Sequence, residues 1–264
     1  MKSERTRIKE AIVIKLQKDR DIIGIYLGGS LAKGTEDEFS DIDLRIVVEE
    51  GVSKQDKLSE LLDDRNDVLF IESWFPSFAV IHFDCFVKLD LFVYYQSQLN
   101  ADIWLKEIKI LKDTEGFLEK LKSNSEKLAY LPTQEEFEAI VYKYLAHLHE
   151  LYRRYQRKEY HYVQQSFLSM QHCLVSLFHI NGGIPANNPG DWSKYEGGRS
   201  VLTQDKQDFI LKLSQTVYDQ IPSILDSLNN EIEQTAKETA EKYHLEFKQD
   251  QFRRSTDFII FNER

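Results

Sequence analysis

Two aspartates separated by a single residue lie at the start of an apolar run. Asp41 and Asp43 flank Ile42, which opens the segment 42–48, IDLRIVV. Because side chains i and i+2 of a β-strand point to the same face, a strand here would place both carboxylates side by side and turn Ile42 towards a core. Neighbouring half-buried carboxylates repel each other unless a cation compensates them. Mg²⁺ suits this position, because it binds one or two carboxylates and completes its shell with waters and phosphate oxygens.

A glycine-rich turn before the aspartates offers the complementary half of such a site. Gly28-Gly29-Ser30 lies directly after the apolar run 22–27. Glycines allow backbone N–H groups to approach a polyphosphate closely, and the residues that follow can open a helix whose N-terminus favours anions. Ser30 has two interpretations, a phosphate contact and a helix N-cap, and they are compatible. The turn and the aspartates together indicate a site for a Mg²⁺-bound polyphosphate.

The segment 28–48, GGSLAKGTEDEFSDIDLRIVV, resembles the signature of the DNA polymerase beta-type nucleotidyltransferase superfamily. That signature is a glycine-serine turn, a short helix, and two acidic residues flanking any residue on the next strand. The run 88–94, KLDLFVY, is similar to the segment that carries the third metal-binding carboxylate of these enzymes. The resemblance therefore assigns that role to Asp90. Its rival Asp84 lies at an expected turn, where local hydrogen bonding explains an aspartate.

The order of this domain and a helical domain resembles bacterial aminoglycoside and lincosamide nucleotidyltransferases. The resemblance implies transfer of a nucleoside monophosphate, AMP from ATP, to a hydroxyl of a small molecule, with two Mg²⁺ ions as cofactors. It implies catalytic, metal-binding roles for Asp41, Asp43 and Asp90, and phosphate contacts for Gly28, Gly29, Ser30 and Lys33. In the resembling enzymes the general base is often a carboxylate of the helical domain. Glu138 and Glu150 are candidates, although no local feature marks either one.

Two other classes of function remain open at this stage. One is an adenylyltransferase that modifies a protein partner, and the other is a catalytically silent regulator that binds a nucleotide. Plain solvent-facing acids would fit the silent class, but a complete carboxylate set argues against it. The second half of the chain, about 130 residues, argues against the minimal protein-modifying enzymes, which are little longer than the first domain. The sequence indicates neither the acceptor nor the nucleotide, and it does not indicate that the protein confers resistance.

The elements that must position these residues alternate between strands and helices in the first half of the chain. Hydrophobic patterning predicts these strands and helices, and the resemblance implies that they form an α+β (α/β-type), polymerase-beta-like domain with a mixed sheet flanked by helices. The predicted strands are 22–27, 42–48, 68–74, a hairpin of 78–84 with 87–94, and a closing strand 107–111. The predicted helices are 4–18, 53–63 with Ser53 as its N-cap, and 115–127.

Beyond Pro132 the pattern becomes helical and predicts an α-helical bundle domain. We expect domains at 1–130 and 131–264, with the second opened by a capping box of Thr133 and Glu136. The predicted helices cover about 133–155, 162–180, 204–218 and 222–244. The long connection 181–198 holds Trp192 and Tyr195. It would either line the acceptor pocket with aromatic faces or form an ordered strap anchored to the bundle by Trp192. No element is assigned to 245–264.

The charge and composition of the chain limit the classes of partner that we expect. The net charge is −10, and neither 1–130 (19 Lys/Arg against 25 Asp/Glu) nor 131–264 (15 against 19) is basic, which disfavours nucleic acid. An acidic cleft would attract a cationic small-molecule acceptor, although net charge can also serve solubility alone.

No apolar run is long enough to span a bilayer, so we expect no membrane partner and a cytoplasmic location. The two cysteines and the scattered histidines show no zinc spacing. Nothing indicates the oligomeric state.

Overall fold

The computed structural model describes residues 2–63, 65–259 and 261. The chain divides into two compact units, Met1–Ala129 and Tyr130–Arg264. The first unit is a mixed six-stranded sheet with flanking helices, in the strand order β3-β4-β5-β2-β1-β6. Its elements are α1 (Lys2–Lys18), β1 (Ile22–Leu27), α2 (Gly29–Lys33), β2 (Ile42–Val48), α3 (Lys54–Leu62), β3 (Val68–Phe75), β4 (Phe78–Phe83), β5 (Lys88–Tyr95), β6 (Lys109–Asp113) and α4 (Phe117–Glu126). The predicted fold class is confirmed.

The pairing of the strands makes the sheet mixed. β2 pairs with β5 in parallel, whereas β1 pairs antiparallel with both β2 and β6, and β4 pairs antiparallel with both β3 and β5. The β4–β5 hairpin predicted from two alternating runs is therefore present. The parallel pairing is the important one for function, because it sets the segment after the glycine turn beside the hairpin's second strand.

One face of this sheet is apolar and the other is partly polar. In β5 the residues Leu89, Leu91 and Val93 are buried and alternate with half-buried Lys88, Asp90 and Phe92. The apolar face packs against α1 and α3, whose core residues are Ile8, Ile12, Leu16, Leu58 and Leu61. Burial of this face fixes the register, because a slip of one residue would turn every polar side chain of β5 into the core.

The second unit consists of helices α5 (Gln134–Gln156), α6 (Tyr160–Asn181), α7 (Gln204–Ser214), α8 (Ile221–Tyr243) and α9 (Gln249–Asp257). The predicted capping box is present, since Thr133 Oγ1 accepts from the Glu136 N–H at 3.1 Å and the Thr133 N–H donates to Glu136 Oε2 at 2.9 Å. α9 was not predicted, because Phe252 is its one buried residue and the helix has no apolar stripe. No helix among the described residues is long and apolar enough to cross a membrane.

Candidate active site

The parallel pairing of β2 and β5 brings the predicted carboxylates together. Asp43 lies directly opposite Asp90 in the register of these strands, and Asp41 immediately precedes β2. Both Asp41 and Asp43 are close enough to Asp90 to act on its carboxyl group by charge repulsion. The three acids that the sequence singled out from two distant segments therefore converge on one face of the sheet.

Lys88 lies between two of these carboxylates. Its Nζ is 3.0 Å from Asp41 Oδ2 and 3.0 Å from Asp90 Oδ2. Burial opposes the charge of Lys88, but hydrogen bonds to Asp41 and Asp90 outweigh it and raise the pKa of the ammonium group above its usual value. Lys88 thus supplies a positive charge where the carboxylates would otherwise repel each other. Sequence reasoning missed this role, although Lys88 stands two residues before Asp90 and so shares its face of the strand.

Asp90 retains an unused acceptor. Its Oδ1 atom is buried and has no hydrogen-bond partner in the protein. Burial raises the pKa of Asp90, Lys88 opposes that rise, and the charges of Asp41 and Asp43 add to it. An unsatisfied buried polar atom costs about 1–3 kcal/mol. Such an atom is expected where a ligand completes the contacts.

The residues present fit a hard divalent cation in their chemistry, although they do not form a finished coordination shell. Carboxylate oxygens are the donors that Mg²⁺ prefers, and the orphaned Asp90 Oδ1 is a free one. Within residues 2–63, 65–259 and 261, no three acidic, histidine or cysteine side chains already have the spacing of a metal site. For a metal to be held by all three aspartates, the Lys88 ammonium must move away from Asp41 and Asp90.

The glycine turn touches the carboxylates directly. The Gly28 N–H donates to the Asp43 carbonyl oxygen at 2.9 Å. Gly29 has φ +59°, and a Cβ atom built on it would lie 1.9 Å from Asp43 Oδ2. Gly29 is therefore required both by its left-handed backbone and by the close approach of Asp43. The turn and the acidic face form one continuous surface.

Ser30 and Lys33 lie in the short helix that follows. Gly28 occupies the N-cap position of α2 without a side-chain cap bond, so the N-cap interpretation of Ser30 is wrong. Ser30 is instead a buried residue of the first turn, because the helix begins at Gly29, two residues before the start that a Ser30 cap would give. Lys33 forms an ion pair with Glu107, and both side chains are largely exposed.

A row of aromatic rings continues the same sheet face away from the carboxylates. Phe92 lies two residues beyond Asp90, opposite Arg45 on β2 and Phe78 on β4, and Phe78 faces Phe75 on β3. The ring centroids of Phe92 and Phe78 are 5.4 Å apart, and those of Phe78 and Phe75 are 4.7 Å apart. We call Phe92, Phe78 and Phe75 the aromatic ladder. The Arg45 guanidinium lies over Phe92 at 5.1 Å from its centroid and 3.2 Å from Asp43 Oδ1.

The other acids considered from the sequence have simpler roles. Asp84 is exposed at the turn between β4 and β5, and its N–H donates to the Asp67 carbonyl oxygen. Glu138 is 3.4 Å from Lys248 Nζ. Glu150 accepts from Arg153 and from Arg154, each at 2.6 Å, and these hydrogen bonds lower its pKa. Neither glutamate of the second unit has an environment that marks a general base.

A known protein-family model matches most of the first unit and the start of the second. The family model described as "Nucleotidyltransferase domain" matches residues 8–142, just over half of the chain. This range contains the glycine turn, all three aspartates and the whole sheet. No curated protein matches the sequence.

Three solved structures are similar to this chain at low identity. The aminoglycoside 6-adenyltransferase from Bacillus subtilis has 12% identity and a TM-score of 0.45, over 96% of this chain and 97% of that one. A nucleotidyltransferase-like protein from Exiguobacterium sibiricum has 15% identity and a TM-score of 0.44, over 89% and 77%. The spectinomycin adenyltransferase from Enterococcus faecialis, solved with ATP and spectinomycin, has 16% identity and a TM-score of 0.36, over 90% and 98%. Similarity at this level does not extend to a substrate.

Proposed function

The chain belongs to the nucleotidyltransferase domain family, and from this premise we propose that it transfers AMP from ATP to a hydroxyl group of a small molecule. One observation carries the proposal. Asp41, Asp43 and Asp90 converge beside the Gly28-Gly29 turn, and they do so with a free buried oxygen on Asp90. Carboxylates gathered beside a turn with open backbone are suited to a metal-bound triphosphate.

In the proposed reaction the acceptor oxygen forms a bond to the α-phosphorus, and the bond from that phosphorus to the bridging oxygen of pyrophosphate breaks. Asp41, Asp43 and Asp90 would hold two Mg²⁺ ions. When bound, such ions neutralise charge on the phosphates and lower the pKa of a coordinated hydroxyl. The acceptor proton passes to a base other than these three aspartates, because all three would hold metal.

The donor phosphates would be held by the turn and α2. The backbone N–H groups of Gly29 and Ser30 would bind phosphate oxygens, since neither residue carries a bulky side chain. Lys33 would have to exchange its exposed partner Glu107 for a phosphate. Such an exchange is inexpensive, because exposed ion pairs contribute only about 0–1 kcal/mol.

The aromatic ladder is suited to the acceptor. Its rings lie on the face of the carboxylates, and Arg45 over Phe92 demonstrates that a cation can occupy that face. Aromatic faces next to carboxylates favour a cationic molecule or a sugar ring. We therefore place the acceptor at Phe92 and Phe78, where it would displace the Arg45 guanidinium from Phe92, with its reactive hydroxyl towards Asp90.

Replacing Phe78 by leucine tests this placement. We expect a KM for the acceptor raised about 10-fold with kcat changed by less than about threefold, because the lost stacking acts on binding. Steady-state kinetics with a saturating nucleotide measure both constants. Phe258→Leu, at an exposed position of the second unit, is the control and should leave both unchanged. An unchanged KM for Phe78→Leu would place the acceptor elsewhere.

The position of Lys88 favours a second candidate, a silent nucleotide-binding regulator in which lysine takes the place of a metal. Lys88→Met separates the two. If the protein is an enzyme, removing the competing ammonium should tighten Mg²⁺ binding by about 10-fold, because two carboxylates lose their compensating charge. Isothermal titration calorimetry with Mg²⁺ measures the change, and Lys109→Met, at an exposed position of the same sheet, is the control. No Mg²⁺ binding by either wild type or Lys88→Met would favour the regulator.

Transfer itself is tested with the purified protein, Mg²⁺ and ATP labelled at the α-phosphate. Aminoglycosides, lincosamides and a set of proteins are offered as acceptors in parallel. Label on a small molecule, with one pyrophosphate released per transfer, supports the proposal. Label on protein alone would replace the small-molecule acceptor with a protein one. Absence of both label transfer and pyrophosphate release across the panel would contradict the proposed activity.

A further inference from the structure

The second unit contains a cavity that the proposed chemistry does not use. Its volume is about 640 Å³, and it lies among α5, α6 and the connection that follows α6. Small-molecule sites commonly have volumes of about 300–1,000 Å³. Part of its wall is apolar and is formed by Ile140, Leu168, Ile180 and Trp192. The size and lining therefore suit a small organic molecule.

The connection that closes this cavity is held firmly in place. Tyr195 is fully buried, and its hydroxyl accepts from the Asn187 N–H at 2.7 Å. The ring of Trp192 packs edge-on against His172 at 5.5 Å, and His172 Nε2 is 3.1 Å from the Asp191 carbonyl oxygen. The strap is thus anchored by Tyr195, while Trp192 forms part of the cavity wall. Trp192, the anchor expected from the sequence, packs against the core of the bundle, but Tyr195 is the fully buried residue of the two. The lining of an acceptor pocket by this segment stays a prediction.

The cavity carries one uncompensated positive charge. Lys143 lines it, and no carboxylate among the described residues forms an ion pair with Lys143. Burial, and then the charge of Lys143, lower the pKa of His147 and so favour its neutral form. Burial raises the pKa of Cys173 to about 12, with Lys143 opposing, so the thiol is also neutral. Glu136 also lines the cavity and keeps its negative charge, but its Oε2 already accepts from the Thr133 N–H and from Thr133 Oγ1.

We propose that this cavity binds a small amphipathic anion, with an apolar or aromatic body against Trp192 and Leu168 and its anionic group at Lys143. Charge complementarity at Lys143 favours an anion, because Lys143 has no ion-pair partner among the described residues while the Glu136 carboxylate is already held by Thr133. The aromatic wall selects a flat or apolar body. This site lies wholly within the second unit, and the proposal does not depend on nucleotide transfer.

Two fluorescent probes of the same shape test the proposal with the full chain and no nucleotide. The first is 8-anilinonaphthalene-1-sulfonate, and the second is N-phenyl-1-naphthylamine, which lacks the sulfonate. We expect Lys143→Gln to raise the dissociation constant of the sulfonate probe roughly 5- to 10-fold. The dissociation constant of the neutral probe should rise less than about twofold. Lys212→Gln, at an exposed position of α7, is the matched control and should affect neither probe.

The apolar wall is tested with Trp192→Leu and with Leu168→Gln. Leu168 is 48% exposed, so its replacement should leave the fold intact even if the tryptophan variant unfolds. We expect either folded variant to raise the dissociation constants of both probes about fivefold or more, because both probes make the apolar contact. The proposal is overturned if Lys143→Gln changes the affinities of both probes equally or changes neither. It is also overturned if Lys212→Gln has the same effect as Lys143→Gln, or if Leu168→Gln leaves both affinities unchanged.

Discussion

The Asp43→Asn variant should lose nucleotide transfer by at least about 10³-fold while keeping its fold, because it loses a charged ligand at the centre of the acidic face and keeps its shape. Asp43 lies opposite Asp90 in the sheet and against the Gly29 turn, so no other described carboxylate can take its place. Pyrophosphate release with ATP, Mg²⁺ and a competent acceptor measures the loss. Circular dichroism and the thermal midpoint establish the fold.

Asp84→Asn is the matched control for this variant. Asp84 is an aspartate of the same unit, exposed at the turn between β4 and β5, and was the rival for the third metal-binding position. Its replacement should leave transfer within about twofold of wild type, since exposed substitutions away from a site have small effects. Persistent pyrophosphate release by Asp43→Asn, or an equal loss in Asp84→Asn, would contradict the assignment.

The Gly29→Ala variant should lose activity by about 100-fold or more, although it adds a single methyl group. That methyl carbon would lie 1.9 Å from Asp43 Oδ2, so either the turn or the carboxylate must move. Displacements of about 1 Å at a reacting centre cost about 10²-fold in rate. The left-handed φ of +59° adds about 1–2 kcal/mol of backbone strain.

Gly34→Ala separates the strain from the contact. Gly34 has φ +69°, but a Cβ atom there would meet nothing within 4 Å. Both variants should therefore share the backbone-strain penalty in chemical denaturation, while Gly29→Ala alone adds the clash with Asp43 and alone loses transfer. Equal retention of activity by the two variants would show that the approach of Asp43 to Gly29 has no part in the reaction.

Patterns within single segments predicted the strands, most helices and the two parts of the candidate site, which are the glycine turn and the aspartates. Asp41 and Asp43 were recognised from their spacing, and Asp90 from a short resemblance. Their convergence depends on the parallel pairing of β2 with β5, which is a contact between segments over 40 residues apart and has no signature in either one. The position of Lys88 between two carboxylates follows from the same pairing.

The features that were missed have physical reasons of the same kind. The aromatic ladder combines one residue from each of three strands, so it exists only once the registers of β3, β4 and β5 are fixed. The Ser30 cap was misplaced because a left-handed Gly29 begins the helix earlier than a serine signal suggests. The cavity of the second unit depends on a connection for which the sequence indicated Trp192 as the anchor, whereas the fully buried ring is that of Tyr195. Its burial depends on contacts with α6, which the residues of the connection do not specify.

The central claim is that Asp41, Asp43 and Asp90 bind divalent cations together with a nucleotide. Electron paramagnetic resonance of Mn²⁺ tests it directly, in the presence of an ATP analogue that cannot release pyrophosphate. We predict two Mn²⁺ ions per wild-type chain with nucleotide bound, and loss of at least one in Asp90→Asn, whose free oxygen is a proposed ligand. Equal Mn²⁺ binding by wild type and by a variant with all three aspartates changed to asparagine would contradict the account.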